Sequence, residues 1–518
     1  MYAIIGILAV AAASVTLIPK GPAPADNNAG NLADKSRQES IANFEKRFCG
    51  PGAQPNSNAF VTEKVLPSDC EMPLGITVDN QGNVWYASTK KGTLGRYDSQ
   101  SNKFEEFLIP DWPTRSNPTE FSMVWVVKAD RQGNIWLTDD KTSLLWRFNH
   151  STCTFDSFKS PAVNPVSFDF DANGNMYLVG VRSKSLYFGD MSKIKPGTSE
   201  GFTEIKLPLE QFKGIDDFRV SSGSVAVDSQ RGVVWTTVLA FQQKGQVFRY
   251  DVATQNIKVF DLPQELSSPV GTAVDGDGNL WVTDHGTSIF FKVDAKDGAQ
   301  TMYVTSPSSP RIFGGTTPAN AYTLPYWIQY YNGEIWFNQH QGNKISRFNP
   351  AAQTLTEYWI PTQNPLWANC PDNTPTCGVA NALQFSIGGP QGNAWFTEWS
   401  QNKIGTVNAQ TKAPLSISAP EQVTVKKGDS VQIRLDISSD KNLTGRMISA
   451  GTMSYTGGLG NSTGIFSEQT VSVGPGQSKQ VSFVFTPADS LKQGQYVLML
   501  GAEDDQVGVL KAVKVNVT

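Results

Sequence analysis

The segment QGNVWYAS, residues 81–88, is one of seven copies of a pattern that recurs through most of this chain. Each copy has a turn rich in Gly, Asn, Asp or Gln, followed at once by an apolar stretch centred on an aromatic residue. Successive aromatic residues are 41 to 59 positions apart. They are Trp85, Trp136, Tyr177, Trp235, Trp281, Trp336 and Trp395.

This interval is typical of four-stranded propeller blades and is longer than that of leucine-rich or paired-helix repeats. A single blade cannot bury both of its faces, so it requires neighbours. The turn residues tolerate positive φ and close a tight hairpin between the two inner strands, as in DNQGN at residues 79–83. The aromatic residue that follows fills the seam between blades. The sequence therefore predicts an all-β chain with a seven-bladed β-propeller.

A second phrase marks the outer strands, as in FEEFLIP at residues 104–110 and LTEYWIP at 355–361. The related FVTEKVLP at 60–67 precedes the first copy of the main pattern, and the seventh copy ends near Asn408 without such a phrase after it. We therefore expect residues 60–66 to supply the outer strand of the seventh blade. Closure by this N-terminal strand would remove an exposed sheet edge.

The 518-residue chain has room for further segments around the propeller. Residues 1–19 hold an uncharged apolar stretch, which is either an export signal or a membrane anchor. Lys20 follows it and no basic residue precedes it, a charge bias that argues against export. Residues 20–59 are predicted to form a linker with a short helix, and 60–411 the propeller. Short alternating strands in 412–518 predict a separate immunoglobulin-like β-sandwich, a spacer or docking module.

Cysteines and glycosylation sequons favour an extracytoplasmic location, either secreted or membrane-anchored. Cys370 and Cys377 flank a Pro-containing loop and are predicted to form a disulfide; Cys49 and Cys70 are a second pair, which leaves Cys153 over. A net charge of -4 gives no basic surface, so no nucleic-acid partner is expected. Sequons that predict a glycoprotein begin at Asn149, Asn442, Asn461 and Asn516.

Three blades resemble those of the virginiamycin B lyase (streptogramin lyase) family when they are written in full. They are MPLGITVDNQGNVWYAS at residues 72–88, GEIWFNQHQGNKISRF at 333–348 and QGNAWFTEWSQNKIGTV at 391–407. The resemblance spans roughly residues 60–411. It implies a seven-bladed propeller and, in the family, a metal-assisted elimination that linearises streptogramin B depsipeptides.

The catalytic histidines of that family lie in Pro-His-Gly or Pro-His-Ala loops just before an inner strand. The matching positions here are Leu74, Val270 and Tyr326, and none is a histidine. An elimination needs a base beside the carbonyl and a cation that stabilises the enolate. The resemblance therefore carries the fold to this chain but not the activity.

Two of the three histidines, His285 and His340, occur four residues after the aromatic residue of consecutive blades. Equivalent positions in neighbouring blades lie side by side, so the sequence predicts a histidine pair near the central channel as candidate catalytic residues. Together with Asp284, Glu398 and Asp139 they are candidate ligands of a divalent metal such as Zn, Cu, Mg or Ca. The alternative is that all five are ordinary rim residues.

Aromatic residues suggest a ligand-binding mouth at the same face. Tyr326, Trp327, Trp367 and Trp399 could stack on a small molecule, a glycan or a protein, or could pack the loops. The preferred interpretation is an extracytoplasmic, membrane-anchored propeller that binds a ligand or partner. The alternative is a metal-dependent lyase, or a lactonase-like hydrolase, that acts on a cyclic ester.

Overall fold

The computed structural model describes Glu39 and residues 54–116, 122–213, 220–240, 243–307, 322–367, 370 and 377–518. These residues form an all-β structure, with short helical turns at Pro113–Ser116, Glu210–Phe212 and Pro365–Trp367. None of the described helices has the length and apolar character needed to span a membrane. The predicted apolar segment, the linker helix and Cys49 lie outside the described residues.

Strands β1 to β28 form seven four-stranded antiparallel units within the described residues, in a propeller-like arrangement. The seventh unit contains β1 (Val61–Val65), β26 (Ala382–Gly388), β27 (Asn393–Glu398) and β28 (Lys403–Val407). The first three units are β2 (Pro73–Val78), β3 (Asn83–Ser88), β4 (Thr93–Asp98), β5 (Lys103–Leu108); β6 (Val127–Ala129), β7 (Ile135–Asp139), β8 (Leu144–Asn149), β9 (Thr154–Lys159); and β10 (Pro165–Phe170), β11 (Met176–Gly180), β12 (Ser185–Gly189), β13 (Phe202–Lys206). The fourth to sixth units are β14 (Val220–Asp228), β15 (Val233–Ala240), β16 (Gln246–Asp251), β17 (Ile257–Asp261); β18 (Pro269–Val274), β19 (Leu280–Asp284), β20 (Ile289–Val293), β21 (Gln300–Val304); and β22 (Pro325–Tyr331), β23 (Glu334–Gln339), β24 (Lys344–Asn349), β25 (Thr354–Trp359).

The recurring turn and aromatic residue form the hairpin between the first and second strands of a unit. Asp79 Oδ1 accepts hydrogen bonds from the backbone N–H groups of Gln81 and Asn83, both at 2.9 Å, while Gly82 takes a φ of 87°. Asp79 Oδ2 accepts the indole N–H of Trp85 at 2.9 Å, and that indole is 1% exposed. The carboxylate is thus occupied by the turn and the buried aromatic ring, which explains the Asp-x-x-Gly-Asn sequence without a bound ion.

The residue two positions after the aromatic links neighbouring units. Thr283 Oγ1 accepts the N–H of Gly271 in its own unit at 3.2 Å and donates to the Tyr326 carbonyl of the next unit. Thr397 of the seventh unit donates to the Leu74 carbonyl of the first at 2.8 Å. A Cβ on Gly271 would lie 2.3 Å from the Tyr326 carbonyl oxygen, so the Pro-x-Gly sequence permits a close approach of two backbones.

The first strands of successive units pack side by side around a central channel, and those of the seventh and first units are in contact. The predicted pairing of the N-terminal strand with the seventh unit is found: β1 pairs with β28 from Val61 opposite Val407 to Val65 opposite Lys403. We call the end of the channel that carries the Asp-containing hairpins the hairpin face. The opposite end, where the second strands finish and the connections between units lie, is the loop face.

The C-terminal strands form two sheets. One contains β29, β31, β35 and β33, and the other contains β30, β37, β36, β32 and β34. Alternation along β31, with Ile433, Leu435 and Ile437 buried and the residues between them exposed, gives the first sheet one apolar face. The strands are β29 (Leu415–Ser418), β30 (Gln422–Val425), β31 (Val431–Ser439), β32 (Leu443–Gly451), β33 (Thr463–Phe466), β34 (Thr470–Val473), β35 (Gln477–Thr486), β36 (Gly494–Glu503) and β37 (Val507–Val517).

The C-terminal sheets are joined to the sixth unit, whereas the sequence predicted a separate module. The outer strand β25 pairs with β37 from Thr354 opposite Lys511 to Tyr358 opposite Val507, which makes one nine-stranded sheet. Ser288 N donates to the Tyr455 carbonyl at 2.7 Å. Apolar side chains from the fifth and sixth units and from β32, β36 and β37 share one core. The C-terminal part therefore shares one sheet and one core with the fifth and sixth units.

Candidate functional site

The structure brings His285 and His340 together at the loop face. His285 Nε2 lies 3.1 Å from His340 Nδ1, and the two rings are parallel within 4°. His340 Nε2 lies 2.5 Å from Asn381 Oδ1. Each histidine follows directly after the second strand of its unit, and its backbone N–H is held by the Ser268 or Leu324 carbonyl. The predicted side-by-side placement is thus found.

Burial keeps both imidazoles neutral. Desolvation lowers the pKa of His340 to about 4, although the hydrogen bond to Asn381 opposes this shift. Desolvation, followed by the charge of His340, lowers the pKa of His285 well below its usual value. With Asn381 Oδ1 as the acceptor, His340 carries its proton on Nε2 and accepts at Nδ1 from His285 Nε2–H. His285 Nδ1 then holds the lone pair at the end of this chain.

The predicted carboxylate ligands do not join the histidine pair. Asp284 accepts backbone N–H groups of Ser268 at 2.9 Å and Gly286 at 3.0 Å, so both of its oxygens are engaged by the backbone. Asp139 accepts the indole N–H of Trp146 at 3.2 Å. Among the described residues, no group of three or more His, Cys, Asp or Glu side chains is placed to hold a metal ion.

Glu398 belongs to a different buried cluster. Lys403 Nζ pairs with Glu63 of β1 at 2.8 Å, and both side chains are 0% exposed. Burial, and next the negative charge of Glu63, raises the pKa of Glu398 well above its usual value. A protonated Glu398 is a poor metal ligand, and the Lys403–Glu63 pair serves ring closure.

The aromatic residues that were predicted to form a mouth are buried, between 3% and 9% exposed. Tyr326 stacks on His285 with ring centroids 4.1 Å apart. Trp367 and Trp399 pack on each other at 6.0 Å beside the Cys370–Cys377 disulfide, which is present as predicted. Among the described residues of the loop face, these four rings are therefore packed and do not form an open mouth.

Two contacts cross the channel close to Tyr326, the ring that stacks on His285. Trp125 of the second unit meets Tyr326 of the sixth edge to face at 6.4 Å, and these units are not neighbours. Gln384 Nε2 of the seventh unit donates to the Trp125 carbonyl at 2.6 Å. Both contacts obstruct the channel near the loop face.

A cavity of about 280 Å³ occupies the rest of the channel, lined by the first strands of all seven units. Trp327 lies at its deeper end, and its buried indole N–H has no hydrogen-bond partner in the described structure. Lys128 Nζ and Asp169 Oδ1 form an ion pair at 2.7 Å, with side chains 30% and 26% exposed, and Tyr330 stands nearer the hairpin face.

Sequence reasoning missed Lys128 and Asp169, although a positional signal was available. Each lies two residues before the Asp of its hairpin, and Thr77 at the corresponding place in the first unit also lines the cavity. The position two before the turn Asp therefore faces the channel, and Lys128 and Asp169 differ there from Thr77, Ala226 and Ala273 of other units.

The remaining predicted features divide between described and undescribed residues. Cys70 is disulfide-bonded, but its predicted partner Cys49 lies outside the described residues. Cys153 is an exposed free thiol. Asn442 and Asn461 of the predicted sequons are exposed, whereas Asn149 and Asn516 are partly buried.

The three-dimensional fold is similar to that of solved lyases. Virginiamycin B lyase from Staphylococcus aureus matches 67% of this chain and 98% of its own with a TM-score of 0.50 and 18% identity. A streptogramin B lyase structure matches 68% of this chain and 99% of its own with a TM-score of 0.51 and 21% identity. No protein-family model and no curated protein sequence matches the chain. At these identities the likeness shows that the chain has a virginiamycin B lyase-like propeller fold.

The positions of the lyase-family histidines do not fit metal-assisted elimination in this chain. Leu74 and Val270 are buried aliphatic residues, and the Tyr326 ring is stacked on His285. Leu74 and Val270 carry no basic or metal-ligating atom, and burial raises the pKa of Tyr326, which keeps its phenol protonated and disfavours it as a base. The nearby His285 and His340 are hydrogen-bonded to each other and are not joined by carboxylates.

Proposed function

We propose that this chain is a non-catalytic ligand-binding module displayed outside the cytoplasm. In this proposal the seven four-stranded units are the blades of a closed propeller, and the C-terminal strands form an immunoglobulin-like sandwich. Residues 1–19 would anchor or export the chain. The ligand would bind in the central channel.

The channel cavity carries this proposal. Its volume of about 280 Å³ is close to the lower limit for small-molecule sites, and polar groups line it together with aromatic rings. The Trp327 indole N–H is buried without a partner, which costs free energy unless a bound molecule accepts it. A buried polar atom left unpaired in a cavity is a reason to expect a ligand.

Disulfides support the extracytoplasmic location. Cys370 pairs with Cys377, and Cys70 is also disulfide-bonded. Disulfides persist in oxidising compartments and are rare in the cytosol. The lyase alternative has no comparable support, because the chain has no histidine base at the three positions that match the family's catalytic histidines.

Ligand binding by the intact protein tests this proposal. We expect at least one compound from a panel of small acids, sugars and short peptides to raise the thermal unfolding midpoint and to change tryptophan fluorescence. Trp327→Phe should weaken that binding, because it keeps the ring and removes the N–H donor.

Trp336→Phe is the matched control. The Trp336 indole N–H is also buried without a partner, but its ring stacks on Tyr358 between strands and away from the channel. Equal effects of the two substitutions on binding, or no binding by any member of the panel, would contradict a ligand site in the channel.

A further inference from the structure

The channel cavity is accessible from the hairpin face. Crossing contacts from Trp125 to Tyr326 and from Gln384 to Trp125 obstruct the channel near the loop face. Exposure of the lining residues increases in the other direction, from Trp327 at 9% to Tyr330 at 36%. A ligand would therefore enter between the Asp-containing hairpins, at the opposite end from the histidine pair.

Hydrogen bonds between neighbouring units engage two of the side-chain oxygens that line the cavity. Gln329 Oε1 accepts the Ile387 N–H at 2.7 Å, and Ser386 Oγ accepts the Val78 N–H at 3.3 Å. One lone pair of the Gln329 amide oxygen is thus engaged with the next unit, whereas both N–H groups of its amide are available to a ligand. The Ser386 hydroxyl likewise retains its proton for donation.

The carboxylate of the Lys128–Asp169 ion pair is also engaged by groups of the protein. Asp169 Oδ1 accepts from Lys128 at 2.7 Å and from the Phe170 N–H at 3.0 Å, and Oδ2 accepts the Val227 N–H at 2.9 Å. Lys128 has three N–H donors, of which one is used by Asp169. The Trp327 indole N–H adds a donor at the deeper end. The unused hydrogen-bonding capacity of the cavity is therefore mainly that of donors.

We propose that the central channel binds a small organic carboxylate that enters from the hairpin face. This inference rests on the proposed function and specifies the ligand class. A carboxylate supplies acceptors to the free donors of Lys128, Gln329 and Trp327, and charge-assisted hydrogen bonds to the ammonium group favour it over a neutral compound. The cavity volume of about 280 Å³ limits the ligand to a small molecule.

The experiment compares benzoate with benzamide, which has the same shape but no charge, by calorimetry on the purified full chain. We expect benzoate to bind saturably and benzamide at least about tenfold more weakly, since a hydrogen bond to a charged group is stronger than a neutral one. The double variant Lys128→Met/Asp169→Asn should weaken benzoate binding about tenfold, and Trp327→Phe by about fivefold. The double variant avoids an unpaired Asp169.

Two control variants separate the site from general effects. Lys244→Met/Asp261→Asn removes a similar ion pair, at 2.5 Å, on the exposed part of the fourth unit, and Trp336→Phe removes an unpaired indole N–H outside the cavity. Both should leave benzoate binding unchanged. Melting curves establish that each variant is folded.

Equal affinity for benzoate and benzamide, or unchanged benzoate binding in both channel variants, would overturn the inference. So would a lack of binding by benzoate, succinate and other small carboxylates at millimolar concentration. A neutral sugar or peptide that binds through Trp327 would overturn the carboxylate class and leave the proposed function intact. A chain that binds no compound of any class would remove both.

Discussion

Thr283→Val tests whether hydroxyl groups hold neighbouring units together. The substitution keeps the size and branching of the side chain and removes one oxygen. Two buried backbone groups then lose their partner, the Gly271 N–H and the Tyr326 carbonyl. Each unsatisfied buried group costs about 1 to 3 kcal/mol, so the loss of partners for both should lower the free energy of unfolding by about 2 to 6 kcal/mol.

Thermal unfolding of the full chain measures this loss. The unfolding entropy of a chain of this length is about 1 kcal/mol per kelvin, so the midpoint should fall by about 2 to 6 °C if the described part unfolds in one step. If the fifth and sixth units open separately, hydrogen exchange at the Tyr326 segment should increase instead. Thr301→Val is the control, because Thr301 lies on β21, the outer strand of the same unit, where it is paired with Lys292.

A Thr283→Val protein with the stability and exchange of the Thr301→Val protein would refute this reasoning. The result would mean that backbone packing around the channel, with the two polar groups hydrated or shifted, holds the units together without the hydroxyl.

Two further predictions concern the histidine pair and the C-terminal sheets. Because the pKa of His340 is lowered from 6.5 to about 4, its unfolded form takes up a proton first, and stability should fall by roughly 3 kcal/mol as the pH falls through this window. Asp140 and Asp284, whose pKa values are raised to about 6, instead increase stability as the pH falls. The measurement is therefore the difference in urea stability between wild type and His285→Gln/His340→Gln across pH 4 to 7. Parallel pH profiles of the two proteins would contradict the prediction for His340. A chain that ends at residue 411 should aggregate on size-exclusion chromatography, because removal of β37 exposes the edge of β25 and the shared core; a monodisperse monomer would contradict it.

Local sequence was sufficient to predict the repeat and its closure. The turn and the aromatic residue are close in sequence, as Asp79 and Trp85 are, so their hydrogen bond is encoded in one short segment. β1 was identifiable because residues 60–67 repeat an outer-strand phrase out of place. Equivalent positions in successive units also placed His285 beside His340, since the repeat converts sequence offset into spatial proximity.

The sequence did not predict contacts that break the repeat. Trp125 and Tyr326 meet across the channel from units that are not neighbours, and no repeat offset relates them. The pairing of Tyr358 with Val507 depends on how two modules dock, which the alternation within each strand does not encode. The placement of the predicted carboxylate ligands has a simpler reason. A one-residue difference on a strand reverses the side-chain direction, and this sent Asp284 to the backbone while His285 met its neighbour.

The pairing of β1 with β28 can form only after most of the chain has been synthesised. Glu63 leaves the ribosome 340 residues before its partner Lys403, an interval of roughly 20 to 70 s at ordinary elongation rates. Throughout that time the first strand has no partner, while other units can fold as they emerge. The charges of Glu63 and Lys64 oppose premature edge-to-edge association of this waiting strand. The carboxylate that finally pairs with Lys403 thus also helps to keep the nascent chain soluble until the last unit arrives.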